Sequence, residues 1–389
     1  MQARIFESLT EIPEADWNAL VPDGCPFLLH GFLHGLHVTG CVGSDTGWMP
    51  RYLVVTTETN KISAALVFYI KTDSYGEYIF DWDWASAWHR AGLDYYPKIT
   101  VAIPFSPVNV PKFLFSSILS SSETLSCAKL LIQGLMNEAE ILNVSGIHFL
   151  FVNELERTLL EEAGFLHRIT RQYHWQNYSA AGEKFQNFDD WLGSLRSHRR
   201  KEIKREREKL KAENLQIEYL TGDQLTIEHM LQMYGFYLNT HQDKWGQAYL
   251  NREFFVYLAE KLRENTLLTL AKKDGEPVAA TLSFFGGKAL YGRYWGCSQN
   301  IRYLHFDLSY YRLIDFAITR KLDIFEAGAQ GEHKFMRGFD AVEIHSMHTF
   351  FHPHGRAAIA GYLERERAGE SRYIRELNRE HSQIRKNEQ

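Results

Sequence analysis

Cysteine is scarce in this chain of 389 residues: Cys25, Cys41, Cys127 and Cys297 stand far apart, and no two share a Cys-x-x-Cys spacing. That pattern excludes a disulfide framework and a zinc knuckle and fits a reducing compartment. Two further features are missing: an apolar run long enough to cross a bilayer and, over Met1 to Leu9, the basic start and apolar core of a secretory leader. A cytoplasmic protein without a membrane span is therefore expected. Charge of one sign is also in short supply, since the formal net charge is −5. A general nucleic-acid coat is thereby disfavoured, although a local basic patch remains compatible. No Gly-x-Ser-x-Gly elbow, Walker loop or dinucleotide fingerprint occurs, so hydrolase, ATPase and dehydrogenase chemistry find no support.

Apolar residues make up 45% of the chain and aromatic residues 14%, ample for packed cores and far from a disordered composition. At this length one core usually stops growing, so two domains are expected. An internal echo agrees with that expectation. Residues 155–178 and 325–350 carry nearly the same pattern: after a short apolar strand, His148 to Val152 or Ile324 to Ala327, comes a segment closing on Gly164-Phe165 or Gly338-Phe339, then a second strand. The echo extends upstream, where Tyr52 to Ile70 and Leu267 to Phe285 each read strand, turn, strand, the second through Asp274-Gly275. Self-similarity of this kind decides the fold before local detail does. Each unit reads as a hairpin, a strand, a long helix, a strand, a short helix ending in Gly-Phe, and a strand. The glycine lets the chain leave the helix in a left-handed conformation, and the Phe enters the core.

The expected domains are 1–190 and 191–389. The first carries an insertion over 71–114, rich in aromatic residues, Gly and Pro and poor in periodicity, of the sort that serves function or mobility. Helical spacing of Ala128, Leu131, Leu135, Ala139 and Leu142 predicts the packed helix of unit one. A charged helix over 197–211 begins the second domain and joins the two. Between Arg199 and Lys211 it holds eight basic and three acidic residues, a local excess of five positive charges. In unit two, apolar positions over 308–320 predict a helix buried against the sheet.

The element order resembles the acyltransferase fold of the GNAT superfamily. More specific are the segments Asp45-Thr46-Gly47-Trp48-Met49-Pro50-Arg51, Ser74-Tyr75-Gly76-Glu77-Tyr78-Ile79-Phe80-Asp81-Trp82, Tyr95-Tyr96-Pro97-Lys98, Leu290-Tyr291-Gly292-Arg293-Tyr294-Trp295-Gly296-Cys297 and Glu326-Ala327-Gly328-Ala329-Gln330-Gly331-Glu332-His333-Lys334. In these the chain resembles the FemAB-like predicted N-acyltransferases, a bacterial family grouped with the peptidoglycan aminoacyl transferases. The resemblance implies an α/β fold with a mixed sheet, built as two tandem GNAT-like domains joined by a basic helix. It also implies transfer of an acyl or aminoacyl group to a primary amine, such as one on a cell-wall precursor or peptide, with acyl-CoA or aminoacyl-tRNA as donor substrate and no tightly bound cofactor.

In that fold the fourth and fifth strands part, and the acyl carbonyl lies in the gap against a main-chain N–H, which stabilises the oxyanion formed during attack. In unit two these strands would be Leu290–Gly296 and Ile324–Ala329, flanked by Gly292, Gly296, Gly328 and Gly331. Glycine also serves turns and tight packing, so each of the four has an ordinary explanation as well. CoA-dependent members carry a Gln/Arg-x-x-Gly-x-Gly/Ala loop before the long helix. Here Ser298 to Asp307 contains no glycine, which weakens a phosphate cradle and gives an aminoacyl-tRNA donor more weight. Glu332, His333 and Glu326 are the candidate catalytic groups, the first two as general base for the attacking amine. Donor-binding candidates are Arg293, Trp295, Gly296, Gly328, Gln330, Gly331, Lys334 and Arg337, the cations neutralising a donor phosphate or an acceptor carboxylate. A solvated helix start with an ion pair would account for the same charges.

Asp81, Trp82, Asp83, Tyr95 and Tyr96 are acceptor candidates, acids between flat rings that would suit an amino sugar or peptide amine. An insertion pinned by its own aromatic residues is the competing explanation. Helix 199–211 is a candidate tRNA contact through phosphates, against the plainer account of a solvated helix of mixed charge. His345, His348, His352 and His354 lack a completing carboxylate or cysteine, and no metal site is expected. The competing function is a binding protein that kept the duplicated scaffold, recognised cell-wall precursor or nucleic acid, and lost transfer.

Overall fold

The structure is a computed structural model that describes residues 1–243, 248–329 and 331–384, without the side chains of 241–243. Strands in the first half are β1 (Gln2–Phe6), β2 (Trp48–Thr56), β3 (Ile62–Lys71), β4 (Lys98–Val101), β5 (Leu114–Phe115), β6 (Gly146–Val152) and β7 (Leu166–Gln176). The second half adds β8 (Gln216–Leu220), β9 (Thr266–Lys273), β10 (Glu276–Gly286), β11 (Ala289–Cys297), β12 (Ile324–Glu326) and β13 (Asp340–Phe350). Two compact units result: Met1–Thr170 with Glu343–Tyr373, and Arg171–Val342 with the chain from Ile374 onward. β7 and β13 each run through a boundary, so each unit takes a strand from the opposite half of the chain. The mixed α/β class expected from the sequence holds in both units.

In the first unit neighbouring strands run β1-β2-β3-β4-β6-β13, antiparallel except for the parallel pair β4 and β6. The helix Ser121–Ile141 covers this sheet. It starts at a capping box in which Ser120 and Glu123 satisfy each other's exposed amides, a device that offsets the unpaired first turn. Cys127, Ala128, Leu131, Leu135 and Ala139 recur at three- and four-residue spacing and enter the core beside Leu53, Leu66 and Phe149. Leu131→Ala would cost about 2–5 kcal/mol by the cavity it leaves. The insertion is more ordered than its composition suggests, for it contains the helix Trp82–Arg90 and β4 itself.

The second unit repeats the plan as β7-β12-β11-β10-β9-β8, antiparallel except for β11 and β12. The β9–β10 hairpin turns on Asp274 and Gly275, both at positive φ (54° and 83°), as a two-residue turn between right-twisted strands requires. Both Gly-Phe endings behave as the echo predicts. Gly164 and Gly338 leave their helices at φ of 85° and 81°, and Phe165 and Phe339 are buried behind them. The helix over residues 304–319 packs Leu304 and Leu308 against Ala271, Val278 and Ala279. Its middle, Asp307–Tyr311, is a π-helical turn, a local irregularity often found at functional sites.

Candidate functional site

β11 and β12 part after three residues. Their parallel pairing covers Ala289 to Tyr291 against Ile324 to Glu326; β12 then ends, while β11 continues to Cys297 along β10. The register of β10 against β11 jumps at this point, from Leu282 opposite Tyr294 to Ser283 opposite Gly292, so Arg293 bulges out of the ladder. A bulge re-aims local main-chain groups. Farther along, the carbonyls of Trp295 and Cys297 accept hydrogen bonds from Thr240 Oγ1 (2.8 Å) and Asn239 Nδ2 (3.2 Å). Gly296 meets the helix Ile227–Asp243, which carries both donors, so closely that a Cβ would lie 2.0 Å from the Phe236 carbonyl oxygen. Residues 292–294 are therefore the stretch of β11 that lies beyond its pairing with β12 and short of that helix.

A cavity of about 90 Å³ occupies the parting. Gly292 and Ala327, the residues just beyond the pairing of β11 with β12, line it with Arg293 and Trp295, and the helix over 304–319 contributes Ser309 and Tyr310. Tyr310 also reaches out of the cavity, its hydroxyl 2.8 Å from His333 Nε2. Burial keeps the Tyr310 phenol protonated by raising its pKa, so it stands as a neutral donor or acceptor beside the imidazole.

The loop after β12 brings several candidates together in different roles. Glu326, the last residue of β12, is buried and lies opposite His174 of β7. Gly328 and Gly331 adopt φ of 84° and 113°, conformations that side chains penalise. Lys334 is buried, and its Nζ donates to the Gly328 carbonyl at 2.7 Å, so its charge faces main chain and not solvent. Burial, and then the neighbouring Arg293 guanidinium, bring its pKa down to about 7. Arg337 is turned inward as well: it lies 3.4 Å over the Phe306 ring, donates to the His333 carbonyl at 3.0 Å and to Glu206 Oε1 at 3.4 Å. Glu206 in turn accepts from Tyr311 at 2.6 Å, which ties the helix Ser197–Lys211 to the site and leaves Lys201, Lys204, Arg205, Lys209 and Lys211 on its exposed face. Glu332 is exposed, 4.0 Å from Arg171. Gln330 lies outside the described residues.

The acceptor candidates of the first unit separate into two groups. Asp81 and Tyr95 are buried in an ion cluster around Lys98, whose Nζ stands 2.5 Å from Asp81, 2.8 Å from Glu77 and 2.9 Å from Ser74 Oγ. Tyr95 donates to Asp81 at 2.6 Å, and Tyr96 meets Ser74 at 2.8 Å. Burial raises the Asp81 carboxyl, but the Lys98 ammonium more than reverses this and leaves it below the ordinary carboxylate range. Trp82 and Asp83 are at the surface, where Trp82 packs edge-on against exposed Tyr75 and Phe80. Of the four histidines near the C-terminus, His345 contacts His167 and His348 contacts His148, at 3.0 and 2.8 Å.

Sequence reasoning missed Tyr310, Ser309, Thr281, Ser283 and His174. A signal existed for the strand pair: hydroxyls at 281 and 283, two apart in the otherwise apolar run Ala279 to Phe284, share one face of a buried strand. His174 gave none, because β7 is distant in sequence from the elements it joins.

Comparison with known proteins gives the same fold. A crystal structure of FemX superposes with a TM-score of 0.55 at 13% identity, covering 94% of this chain and all of that one. The C-terminal domain of a putative lysylphosphatidylglycerol synthetase from Agrobacterium fabrum superposes at 0.54 with 8% identity, covering 90% of this chain and 96% of that domain. A conserved protein of unknown function from Bacteroides thetaiotaomicron reaches 0.50 at 11% identity, over 89% and 99% of the two chains. No curated protein matches. Residues 8–385 match the model of the FemAB-like family, described as peptidoglycan biosynthesis/recognition, and the chain belongs to that family.

Proposed function

We propose that the protein is an N-acyltransferase that moves an acyl or aminoacyl group from a carrier to a primary amine, with the chemistry at the parting of β11 and β12. The observation that carries this reading is the cavity in the parting, where the bulged edge of β11 meets a tyrosine already hydrogen-bonded to a histidine. The amine attacks the donor carbonyl, and a main-chain N–H from residues 292–294 stabilises the oxyanion. The Tyr310 hydroxyl takes the proton from the amine as its own proton passes to His333 Nε2, a relay short enough for general base catalysis. Collapse of the tetrahedral intermediate expels the carrier thiolate or alkoxide, which recovers that proton. Lys334 holds the loop through Gly328, and Glu332 stays peripheral.

Family membership supports an acceptor amine on a cell-wall precursor and a cytoplasmic setting, and the neighbour named as a lysylphosphatidylglycerol synthetase supports an aminoacyl donor. Among the described residues no helix is long and apolar enough to cross a membrane. The exposed basic face of the helix Ser197–Lys211 would contact a tRNA carrier through phosphates. In the first unit, exposed Trp82, Tyr75 and Phe80, with Asp83 beside them, offer flat faces on which an acceptor ring would stack. Mass spectrometry of reactions containing acyl-CoA or charged tRNA and a cell-wall precursor amine tests the reading. Transfer that falls in His333→Ala and Tyr310→Phe supports it, and transfer unchanged in both overturns the relay.

A further inference from the structure

Four hydroxyls on one side of the second unit's sheet have no hydrogen-bond partner among the described residues. Thr269 and Thr281 stand opposite each other on β9 and β10, Ser283 lies two residues beyond Thr281, and Ser309 faces them from the π-helical turn. Their oxygens are buried, and none makes a hydrogen bond to another group among the described residues. Thr281 and Ser283 are 3% and 0% exposed, so neither reaches bulk water. Burying a hydroxyl unpaired costs about 1–3 kcal/mol, and native cores leave few such groups. Three of the four, Thr281, Ser283 and Ser309, line the cavity between β11 and β12. A space in which a strand and the helix over it together leave three hydroxyls unanswered is built for something that answers them.

We infer that Thr281, Ser283 and Ser309 set the specificity of the transferred group, selecting a short acyl chain that carries a hydroxyl or amino substituent next to its carbonyl over the hydrocarbon chain of the same shape. Size and polarity act together here. The cavity of about 90 Å³ holds roughly three water-sized groups, each taking about 30 Å³. With the carbonyl seated in the parting, that is room for a branched two-carbon remainder and its substituent, but not for a fatty chain. A substituent that donates or accepts satisfies hydroxyls that would otherwise stay unpaired. A methyl group in its place leaves them unpaired, the situation in which enzymes discriminate most strongly. The inference rests on the transfer reading and goes beyond it in naming the donor's acyl class.

The test uses two isosteres, lactyl and isobutyryl, which differ by a hydroxyl in place of a methyl. Each is presented on coenzyme A and as the 3′ ester of adenosine, the terminal nucleoside of a charged tRNA, with octanoyl on both carriers as the size control. Binding to the full-length protein is measured by titration calorimetry. The expected result is lactyl at least tenfold tighter than isobutyryl on one carrier, no octanoyl binding, and a ratio near one in the Thr281→Val/Ser283→Ala/Ser309→Ala variant. That variant should be as stable as the parent or more so, since it removes buried unpaired groups; Ser283→Ala alone serves if the triple change misfolds. Equal binding of the isosteres, or binding of octanoyl, overturns this inference and leaves the transfer reading standing. Failure of every acyl form to bind on either carrier overturns both.

Discussion

The two units follow one plan yet treat the same break in the sheet in opposite ways. In the second unit β11 and β12 separate over a cavity lined by unanswered hydroxyls. In the first, β4 and β6 also pair for three residues, Ile99 to Val101 against Ile147 to Phe149, and β6 runs on to Val152 without β4. There the chain fills its own gap. The Lys112 ammonium is buried against the carbonyls of Val110 and Phe151, Glu156 accepts from the amides of Lys112 and Phe113, and Phe113 enters the core. The Lys112 ammonium and the Glu156 carboxylate are thus both answered from within the unit. Of the two partings, the one between β11 and β12 opens on a cavity, while the one between β4 and β6 is packed by Lys112 and Phe113.

Substitutions that distinguish a closed unit from an open one sharpen this contrast. The largest effect is expected from Lys98→Met, which strands Glu77 and Asp81 in the first unit without their shared cation. Breaking a buried ion pair from one side costs about 3–5 kcal/mol, and urea denaturation should show a loss of that order. A loss below about 1 kcal/mol would mean that the cluster is not the clamp its distances suggest. In the second unit, Tyr310→Phe removes the relay but keeps the ring, so kcat should fall about 10²-fold or more while donor affinity holds. An equal fall after Lys112→Met, with the protein still folded, would erase the distinction between the units.

Acid should act on both units through buried imidazoles. His148 and His167 in the first and His174 in the second are each pushed down to about 3 from 6.5, burial being the main cause. Neutral in the folded state, they take up protons only on unfolding. Stability is therefore intact above pH 6.5 and falls by about 1.4 kcal/mol per pH unit for each histidine as pH drops towards 3. Unfolding midpoints between pH 7.5 and 4.5 test this, and a flat profile contradicts it. The smallest effect is expected at Glu332. Glu332→Gln should change kcat less than about threefold, because its pair with Arg171 is exposed and long.

Much of the plan was legible because it rests on local chemistry. The repeated Gly-Phe endings, the Asp274-Gly275 turn and the spacing of Leu131 and Leu135 each fix an element without reference to distant residues. The glycines at 292 and 328 also marked where β11 and β12 would separate. What escaped depends on contacts far apart in sequence. The Lys98 cluster joins residues 17 to 24 positions away, so Asp81 read as an exposed acid when it is the counter-ion of a core lysine. Tyr310 and His333 meet across 23 residues. The exchange of β7 and β13 left no trace at all, since a strand's pattern names its buried face and not its partner.

The central claim is that the acyl group sits between β11 and β12. A crystal structure with a hydrolysis-resistant acyl-CoA or aminoacyl-adenosine analogue would test it most directly. The carbonyl oxygen should lie within hydrogen-bonding distance of a main-chain N–H of residues 292–294, with the acyl substituent towards Ser283 and Ser309. An acyl group lodged beside β4 and β6, or a ligand bound with the β11–β12 space closed, would contradict it.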